Sequence, residues 1–385
     1  MMEYRYRQLE NTISALNETN IPLTSLVNNS YTPAGFTDDL GIYYFIPWIA
    51  KFLGISLDPA INIFFGLLLF IGITISLCCF SFAFKQGAAR MISSVGLGLL
   101  MIAAYRYSDV YSTSYFAIAS TIPLFILWDQ KSSKFDWKFI ALLAFSGIII
   151  GYSNIIRTHA GTGVFLFLVS WLLLNKELTK TDKLISLITL TVFIGIPYGH
   201  FKFLETNRDA FLTKIDPLYQ PISIAHPKWH SIYIGFGFLD NKYGIKYSDI
   251  ISQEKAMSIN PKAAYCSPEY EQILKNQCFL LAKNDPKFVL KTVFMKSITL
   301  FFRFLQFANF GLLIAFFYVK PSARYVIPFI IAALFYSIPG ILTMPINVYV
   351  SGLANISGMF GIYMICLGIK KYGSSAQGVF TKNIC

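Results

Sequence analysis

Charged side chains are scarce in this 385-residue chain, where Asp, Glu, Lys and Arg together make up 14% of the sequence. Soluble domains carry about 25% charged residues. Hydrophobic residues reach 55%, aromatic residues 17%, and the mean hydropathy is +0.54. A water-soluble fold cannot bury so much apolar surface with so little charge outside. The composition therefore excludes a soluble enzyme, a disordered chain and a nucleic-acid-binding protein, and it predicts an all-α polytopic membrane protein.

Motifs for nucleotides and metals are also missing. The Gly-Phe-Gly at 235–237 completes neither a dinucleotide fingerprint nor a P-loop, so ATP-driven pumping is not expected. His226 and His230 stand four residues apart, but they lack the glutamate of a His-Glu-x-x-His motif. No cofactor is predicted from a motif, and a divalent metal ion is a candidate only through an acidic pair described below.

Nine apolar stretches are candidates for crossing a bilayer. A helical span needs about 20 apolar residues to cross a hydrocarbon core of about 30 Å. The predicted spans are 60–83, 91–106, 113–128, 139–155, 160–174, 184–200, 298–319, 325–343 and 350–369. The third and the fifth are short for full spans, which indicates broken or tilted helices at these places.

The spans divide the chain into four predicted parts. These are an outer N-terminal segment at 1–59, a six-span block at 60–200, a long outer loop subdomain at 201–297, and a three-span block with a short cytoplasmic tail at 298–385. Residues 1–40 contain neither a signal peptide nor a transmembrane helix, whereas the aromatic stretch 41–55 predicts a helix at the membrane interface. Within the loop, short helices are expected at 248–258 and 268–283.

Positive charge exceeds negative charge by 12, from 32 Lys and Arg against 20 Asp and Glu. Short cytoplasmic loops of membrane proteins are enriched in Lys and Arg. Every second connection between the predicted spans is rich in Lys and Arg. These connections contain Lys85 and Arg90; Lys131, Lys134 and Lys138; Lys176, Lys180 and Lys183; Lys320 and Arg324; and Lys370 and Lys371. This pattern places the N-terminal segment and the long loop outside the cytoplasm. The opposite short turns hold only Arg106 and Arg157, which break the pattern.

An acidic pair, Asp38-Asp39, directly precedes the aromatic interfacial stretch. Adjacent carboxylates repel each other, which raises one pKa or attracts a cation. A carboxylate there could act as general base towards a hydroxyl group. The alternative interpretation is a solvated turn or helix cap, because Thr37-Asp38 is a good capping sequence.

Polar residues also gather where spans end on the predicted outer face. Arg106 and Asp109 follow the second span, and Arg157 and His159 follow the fourth. An outward-facing arginine needs an anionic partner, and the phosphate of a lipid matches its planar fork of donors. The alternative is an arginine that snorkels to ordinary lipid headgroups.

The loop string 226–249, HPKWHSIYIGFGFLDNKYGIKYSD, is dense in aromatic residues, His, Gly and Asp. Trp229 and His230 suit recognition of a sugar or a headgroup, although the core of a small subdomain would have the same composition. Cys266 and Cys278 lie in the same loop, twelve residues apart. In an oxidising compartment they are candidates for a disulfide, and otherwise they are two buried thiols.

The chain resembles the membrane-embedded glycosyltransferases of the GT-C class. The resemblance rests on DDLGIYYFIPWIAKFLGIS at 38–56, the multi-span block, the long outer loop, and further spans with MPINVYVSG at 344–352. Within this class, the chain resembles in particular the bacterial relatives of the dolichyl-phosphate-mannose protein mannosyltransferases and the aminoarabinose transferases. The layout covers most of the chain, and the Asp-Asp region is the motif. Such enzymes have a transmembrane helix before the acidic pair, which this sequence lacks.

The resemblance implies an all-α GT-C-like bundle of about nine transmembrane helices. It implies transfer of a sugar from a polyprenyl-phosphate carrier to a glycan, lipid or protein acceptor, on the outer face of a bacterial inner membrane or an equivalent membrane. The partners would be this donor and membrane lipids, with no nucleic acid. The site residues that it implies are the base Asp38 or Asp39, the second acid Asp109, the phosphate-binding Arg106 and Arg157, and the wall residues His159, Trp229 and His230.

Two other functions are open to a chain of this layout. An O-antigen polymerase or ligase would need Arg and His in its large loop rather than an early Asp, and residues 201–297 contain only one arginine, Arg208. A transporter or flippase without covalent chemistry would place ionisable or helix-breaking residues near the middle of its spans. The spans here are almost free of ionisable residues at their centres, so the sequence favours chemistry at one membrane face.

Overall fold

A computed structural model describes residues 3–35, 39–106, 109–130, 135–219, 228–265 and 267–382. These parts of the chain are helical, apart from one short β-hairpin. The all-α class predicted from composition is therefore correct for the membrane part, and the hairpin is an addition to it.

The hairpin belongs to an N-terminal unit that packs beside the membrane helices. Helix α1 (Glu3–Thr19) is polar, and strands β1 (Thr24–Val27) and β2 (Ser30–Pro33) pair antiparallel. Asn28 and Asn29 connect the strands with φ of 50° and 61°, as a two-residue turn of this hand requires.

Helix α2 (Ile42–Leu53) is the helix predicted over the aromatic stretch 41–55, and the structure confirms it as a helix. Its buried face contains Ile42, Ile46 and Ala50, which are spaced by one helical turn. This face packs with Leu9 of α1 in one apolar cluster. The N-terminal unit is thereby fixed against the bundle.

Seven of the described helices are long and apolar enough to cross a membrane. They are α3 (Leu57–Ala83), α4 (Gly87–Tyr105), α5 (Thr113–Gln130, preceded by a 3-10 turn at Val110–Ser112), α6 (Trp137–Ile156), α8 (Lys180–Ile215), α14 (Ala323–Leu342) and α15 (Ser351–Lys382). An eighth candidate is a bent pair, and helix α7 (Thr162–Leu174), predicted as the fifth span, has only 13 residues. The chain is thus a multi-pass helical membrane protein with seven or eight candidate spans rather than nine full ones.

The bent pair consists of α12 (Pro286–Ala308) and a second piece that contains α13 (Phe310–Leu313) and a π-helical end (Ile314–Val319). The two pieces meet at 81°. The prediction of one continuous span over 298–319 is therefore wrong. The helix begins twelve residues earlier, with Pro286 in its first turn, and it breaks at Asn309.

Asn309 produces the break through its backbone and its side chain. Its φ is 36° and its ψ is −129°, and its Oδ1 accepts a hydrogen bond from the Phe310 amide and so starts the next helix. Gly311 then contacts Gly361 of α15 so closely that a Cβ on Gly311 would lie 2.4 Å from the Gly361 Cα. The break at Asn309 therefore lies next to a close crossing of α13 and α15.

Helices α5 and α15 lie at the centre of the bundle, because 89% and 78% of their apolar windows are buried. The large apolar core around them includes Phe125, Trp171 and Tyr363. Helix α8 is peripheral, and it continues 15 residues beyond the predicted end of its span at 200. The polar continuation explains the error, since no apolar run marks it in the sequence.

The segment after α8 forms a small helical subdomain. It contains α9 (Lys228–Gly235), a 3-10 turn (Phe236–Phe238), α10 (Asp249–Ile259) and α11 (Pro268–Asn284). The short helices expected at 248–258 and 268–283 are confirmed. Tyr233, Tyr270 and Leu274 belong to a separate apolar cluster of this subdomain. Cys278 is buried in α11, and Cys266 lies outside the described residues, so their pairing stays a prediction.

Candidate functional site

A cavity of about 500 Å³ opens where one end of the bundle meets the helical subdomain. Its wall is built from the start of α1, the α6–α7 turn, α9, the start of α10, the end of α14 and the start of α15. The polar side chains in this wall include the cations Arg5, Arg157 and Lys228, the imidazoles His159 and His230, the hydroxyls Tyr111, Tyr247 and Tyr349, and the carboxylate Asp249. Among the residues that the structure describes, Asp249 is the one carboxylate in this lining.

Arg5 joins two of the predicted acids to the cavity. Its Nε donates to Oδ2 of Asp39 at 2.6 Å, and its Nη1 lies 3.7 Å from Oδ2 of Asp109. The Asp39 side chain is only 1% exposed. Burial alone would lower the pKa of the guanidinium, but the two carboxylates outweigh it and raise this pKa. Arg5 therefore stays charged in the cavity wall.

Both acids are held in place by their own backbone surroundings. Oδ1 of Asp109 accepts from the Val110 amide at 2.7 Å and caps the 3-10 turn, so its other oxygen points to Arg5. Asp39 precedes α2, where the Gly41 amide donates to the Ile155 carbonyl of α6 at 3.0 Å. A side chain at Gly41 would collide with the Ile156 backbone at 2.9 Å, so glycine is needed for this contact.

Arg157 ends α6 on the opposite side of Tyr111. Its guanidinium carbon lies 4.9 Å from the centre of the Tyr111 ring, in a cation–π arrangement that orients the planar group. The ring of Tyr111 meets Tyr349 edge-on at 5.8 Å, and the Tyr247 hydroxyl donates to the Tyr349 hydroxyl at 2.9 Å. These contacts connect the bundle to the subdomain across the cavity.

The turn that follows Arg157 has an uncommon backbone. His159 has a φ of 70°, a left-handed conformation that non-glycine residues adopt rarely and often at functional sites. Oδ1 of Asn154 accepts from the Gly161 amide at 2.8 Å, and the Tyr336 hydroxyl donates to the Ala160 carbonyl at 2.7 Å. These bonds hold the turn, so His159 is fixed in the cavity wall.

The pKa of His159 is lowered. Partial withdrawal of its ring from bulk solvent is the main cause, and the nearby charges of Lys228 and Arg157 add to it. His159 is therefore neutral at pH 7, and both cations lie close enough to influence it. Arg157 and Lys228 both line this cavity together with His159.

The subdomain contributes an imidazole–carboxylate pair. His230 is buried at 3% exposure, and its Nε2 lies 3.0 Å from Oδ1 of Asp249. The other ring nitrogen, Nδ1, lies 2.6 Å from the Tyr270 hydroxyl and 2.9 Å from the Ser252 hydroxyl. When Tyr270 donates to Nδ1, the remaining ring proton is on Nε2 and is directed at Asp249.

A buried lysine closes the wall from below. Lys296 of α12 is 2% exposed, and its Nζ donates to the carbonyls of Ile341 and Thr343 at 3.2 and 2.6 Å. These carbonyls end α14, where a cation is favourable because of the helix dipole. Thr343 itself lines the cavity, so Lys296 fixes the end of α14 that faces it.

The structure brings together some of the predicted site residues and leaves others apart. Asp39 and Asp109 share Arg5, and Arg157, His159 and His230 line the cavity. Two predicted residues lie elsewhere: Arg106 is exposed at the end of α4, and the ring of Trp229 lies 5.5 Å from that of Phe279. Asp38 lies outside the described residues. Neither Arg106 nor Trp229 belongs to the cavity lining.

Three charged residues of the described lining, Arg5, Lys228 and Asp249, were not predicted. Arg5 lies in a polar helix that carries no local signal of burial. Lys228 and Asp249 are in the string 226–249, whose density of aromatic, His and Asp residues did mark the segment. In the sequence, Lys228 is recognisable as a charge next to Trp229-His230. Asp249 is recognisable as an acid at the start of a predicted helix.

No three His, Cys, Asp or Glu side chains converge on a metal-binding arrangement within the described part of the chain. The divalent ion therefore stays a prediction from the acidic pair. Comparison with known proteins gives no match to any family model, any curated protein or any solved structure. The inferences on function thus rest on the sequence and on the geometry of the cavity.

Proposed function

We propose that this protein is an integral membrane glycosyltransferase of the GT-C type. It takes a sugar from a polyprenyl-phosphate carrier and places it on an acceptor glycan, lipid or protein outside the cytoplasm. The observation that carries the proposal is the convergence of Arg5, Arg157 and Lys228 on one cavity at an end of the bundle. Negative charge develops on the phosphate as the sugar leaves, and fixed cations stabilise that charge.

An apolar groove that includes residues of α15 supports a lipid-linked donor. It has a volume of about 430 Å³ and is lined by Leu99 of α4, Phe307 of α12, and Gly358 and Ile362 of α15. Gly352 of the same helix lines the polar cavity. Six residues of helix separate Gly352 from Gly358, a distance of about 9 Å along the axis. The two glycines face directions about 120° apart around the helix axis. The proposal therefore places the phosphate in the cavity and the prenyl chain in the groove on a neighbouring face of α15.

The charges at the other end of the bundle support the proposed orientation. Arg324 of α14 pairs with Asp129 of α5 at 2.9 Å and with Glu177, before α8, at 3.2 Å. This end is where the lysine-rich connections emerge, and such connections remain in the cytoplasm. The cavity lies at the opposite end, so its proposed position is on the outer face.

The proposed function is tested with the purified protein in proteoliposomes. Radiolabelled polyprenyl-phosphate sugars are supplied together with an acceptor extract from membranes, with and without a divalent metal ion. We expect transfer of label from the lipid phase to the acceptor. A double variant, Arg157→Gln with Lys228→Gln, serves as the control that lacks two of the cavity's cations. The proposal is refuted when the folded wild-type protein transfers no sugar from any donor in the panel.

Binding of the donor should depend on pH through His159. Without a bound donor, the pKa of His159 is lowered. A bound phosphodiester favours the charged form of the imidazole, so protonation of His159 and binding of the donor promote each other. Binding therefore tightens as pH falls from 8 to 5.5, by about tenfold for each unit by which the anion raises the pKa. The donor itself keeps one charge over this range, since phosphodiesters do not titrate there.

The dissociation constant of a labelled polyprenyl-phosphate sugar, measured by flotation at each pH, checks this dependence. His159→Gln should flatten the profile, whereas His200→Gln, which removes an imidazole outside the cavity lining, should leave it unchanged. A wild-type profile as flat as that of His159→Gln would contradict the placement of the phosphate next to this ring.

A further inference from the structure

The subdomain side of the cavity differs in chemistry from the bundle side. Arg5 and Arg157 come from the membrane part and the N-terminal unit, whereas Lys228, His230 and Asp249 come from the subdomain, which thus supplies the carboxylate of the described lining as well as a third cation. Two substrates must meet in a transferase, one anionic and one that loses a proton from a hydroxyl group. The cations Arg5, Arg157 and Lys228 fit the donor phosphate. The carboxylate of Asp249 has the chemistry that the acceptor hydroxyl needs.

Asp249 is accessible to a substrate in a way that the other acids are not. Its side chain is 69% exposed and lines the cavity, although His230 holds one of its oxygens at 3.0 Å. Asp39 is 1% exposed and Asp109 is 15% exposed, and Arg5 separates both of them from the cavity. A general base must come within about 3 Å of the proton that it removes. Asp249 meets this condition without any rearrangement of a buried ion pair.

The neighbours of Asp249 hold it in position. Ser252, one turn further along α10, donates to the Asp249 carbonyl at 2.7 Å and also contacts His230. The carboxylate of Glu271 accepts from the His230 amide at 3.1 Å and caps the start of α9. Burial raises the pKa of Tyr247, and the charge of nearby Asp249 contributes to that rise. Asp249 is thus held by His230 and lines the cavity together with Tyr247.

We infer that Asp249 is the general base of the transfer, acting on a hydroxyl-bearing acceptor, and that His230 is a positioning residue for it. This inference rests on the proposed function. Asp39 and Asp109 have another task, which is to keep Arg5 charged and fixed behind the donor phosphate. The assignment differs from the one that the Asp38-Asp39 motif predicts, and the two assignments have different experimental consequences.

The step conserves atoms and charge. The acceptor oxygen forms a bond to the anomeric carbon of the donor sugar while its proton moves to the Asp249 carboxylate. The bond between the anomeric carbon and the phosphate oxygen breaks, and its electron pair leaves with the polyprenyl phosphate. Arg157 and Lys228 stabilise the additional negative charge. Asp249 then releases the proton to water in the open cavity.

The test compares variants of the full-length protein in proteoliposomes, with transfer and donor binding measured separately. Asp249→Asn should lower the transfer rate by about 10² to 10⁴-fold, the usual contribution of a general base, with the affinity for the labelled donor unchanged. Glu254→Gln, an exposed acid on the same helix, is the matched control and should transfer normally. Asp39→Asn should weaken donor binding and thermal stability instead, because it removes a partner of Arg5.

A pH profile distinguishes the positioning role of His230 from a merely structural one. Without the imidazole, the carboxylate loses a donor that favours its charged form, so the acid limb of the transfer profile should move to higher pH in His230→Gln. Among the described residues, the other titratable or charged groups facing this pair are Lys228, Tyr247, Tyr265, Tyr270 and Glu271. These groups are unchanged in the variant, so the shift reports on His230. An unmoved limb with a lower rate would reduce His230 to a packing residue and overturn that part of the inference.

The outcomes separate this inference from the function on which it rests. Transfer by the wild type that persists in Asp249→Asn overturns the assignment of the base and leaves the proposed function intact. Loss of transfer in Asp39→Asn with normal donor binding would indicate that the general base belongs to the acidic pair Asp38-Asp39 and not to the subdomain. No transfer by the folded wild type refutes both. Loss of transfer confined to Asp249→Asn, with donor still bound, supports the inference.

Discussion

Replacing Arg157 with glutamine is expected to weaken donor binding and transfer by about 10- to 100-fold. A hydrogen bond to a charged group contributes about 1.5–3 kcal/mol, and each 1.4 kcal/mol corresponds to about a tenfold change. Glutamine keeps much of the length of the side chain but loses the charge and the two-pronged fork that matches a phosphate. The change affects the donor in the ground state and more strongly in the transition state, where the phosphate carries additional charge.

The geometry of Arg157 makes a conservative replacement informative. Its guanidinium carbon lies 4.9 Å from the centre of the Tyr111 ring, and lysine has no planar group to stack on a ring or to bind a phosphate through two parallel bonds. Arg157→Lys should therefore restore only a part of the loss. The Michaelis constant for the donor and the maximal transfer rate, measured on the labelled carrier, give the two components separately.

Arg106 provides the matched control for Arg157. Both arginines break the positive-inside pattern, and both end a membrane helix. Arg106 is exposed at the end of α4 and outside the cavity lining, so Arg106→Gln should transfer at the wild-type rate. Equal losses in the two variants would indicate a general contact with lipid headgroups and would contradict a specific phosphate site at Arg157.

Arg157 lines the cavity and Arg106 does not, and this difference shows which part of the site can be predicted from the sequence. The charge pattern identifies both as unusual, because it depends only on where the apolar runs begin and end. Which one faces the cavity depends on the rotation of a helix end and on the turn after it. Arg157 is turned inward by a sequence of contacts that includes Asn154, Gly161 and Tyr336. Such contacts join distant segments, and no local pattern encodes them.

The same division applies to the fold. Long apolar runs predict most of the spans to within a few residues, because a helix needs about 20 consecutive apolar residues to cross a bilayer. The break at Asn309 is not predictable in this way, because it depends on the contact of Gly311 with Gly361, fifty residues away. Helix α8 continues to Ile215 through a polar sequence that carries no apolar run.

Arg5 is the clearest case of a site residue that only the folded chain reveals. It is separated from Asp39 by 34 positions, and it reaches the cavity because α1 packs against α2 through Leu9 and Ile42. The sequence identified Asp39 and Asp109 as interesting acids. It could not show that the same arginine binds both, and therefore it could not show that their charges are already neutralised before a substrate arrives.

Removing Arg5 should strongly destabilise the protein, because it leaves the carboxylate of Asp39 buried without its cation. Breaking a buried ion pair in this way costs about 3–5 kcal/mol, which is comparable to a large fraction of the stability of a domain. Arg5→Met keeps the apolar stem of the side chain and removes the guanidinium. The unfolding free energy in mixed micelles, or the thermal midpoint in detergent at pH 7, measures the effect.

The double variant determines whether this loss comes from the uncompensated charge. Arg5→Met combined with Asp39→Asn removes both charges, so it should be more stable than Arg5→Met alone, as a double-mutant cycle detects. Arg7→Met changes an exposed arginine of the same helix and should alter stability by less than about 0.5 kcal/mol. A loss in Arg5→Met that Arg7→Met reproduces would show that the buried pair does not hold the N-terminal unit. When the double variant regains stability but not donor binding, Arg5 has a role at the cavity that is separate from its role in folding.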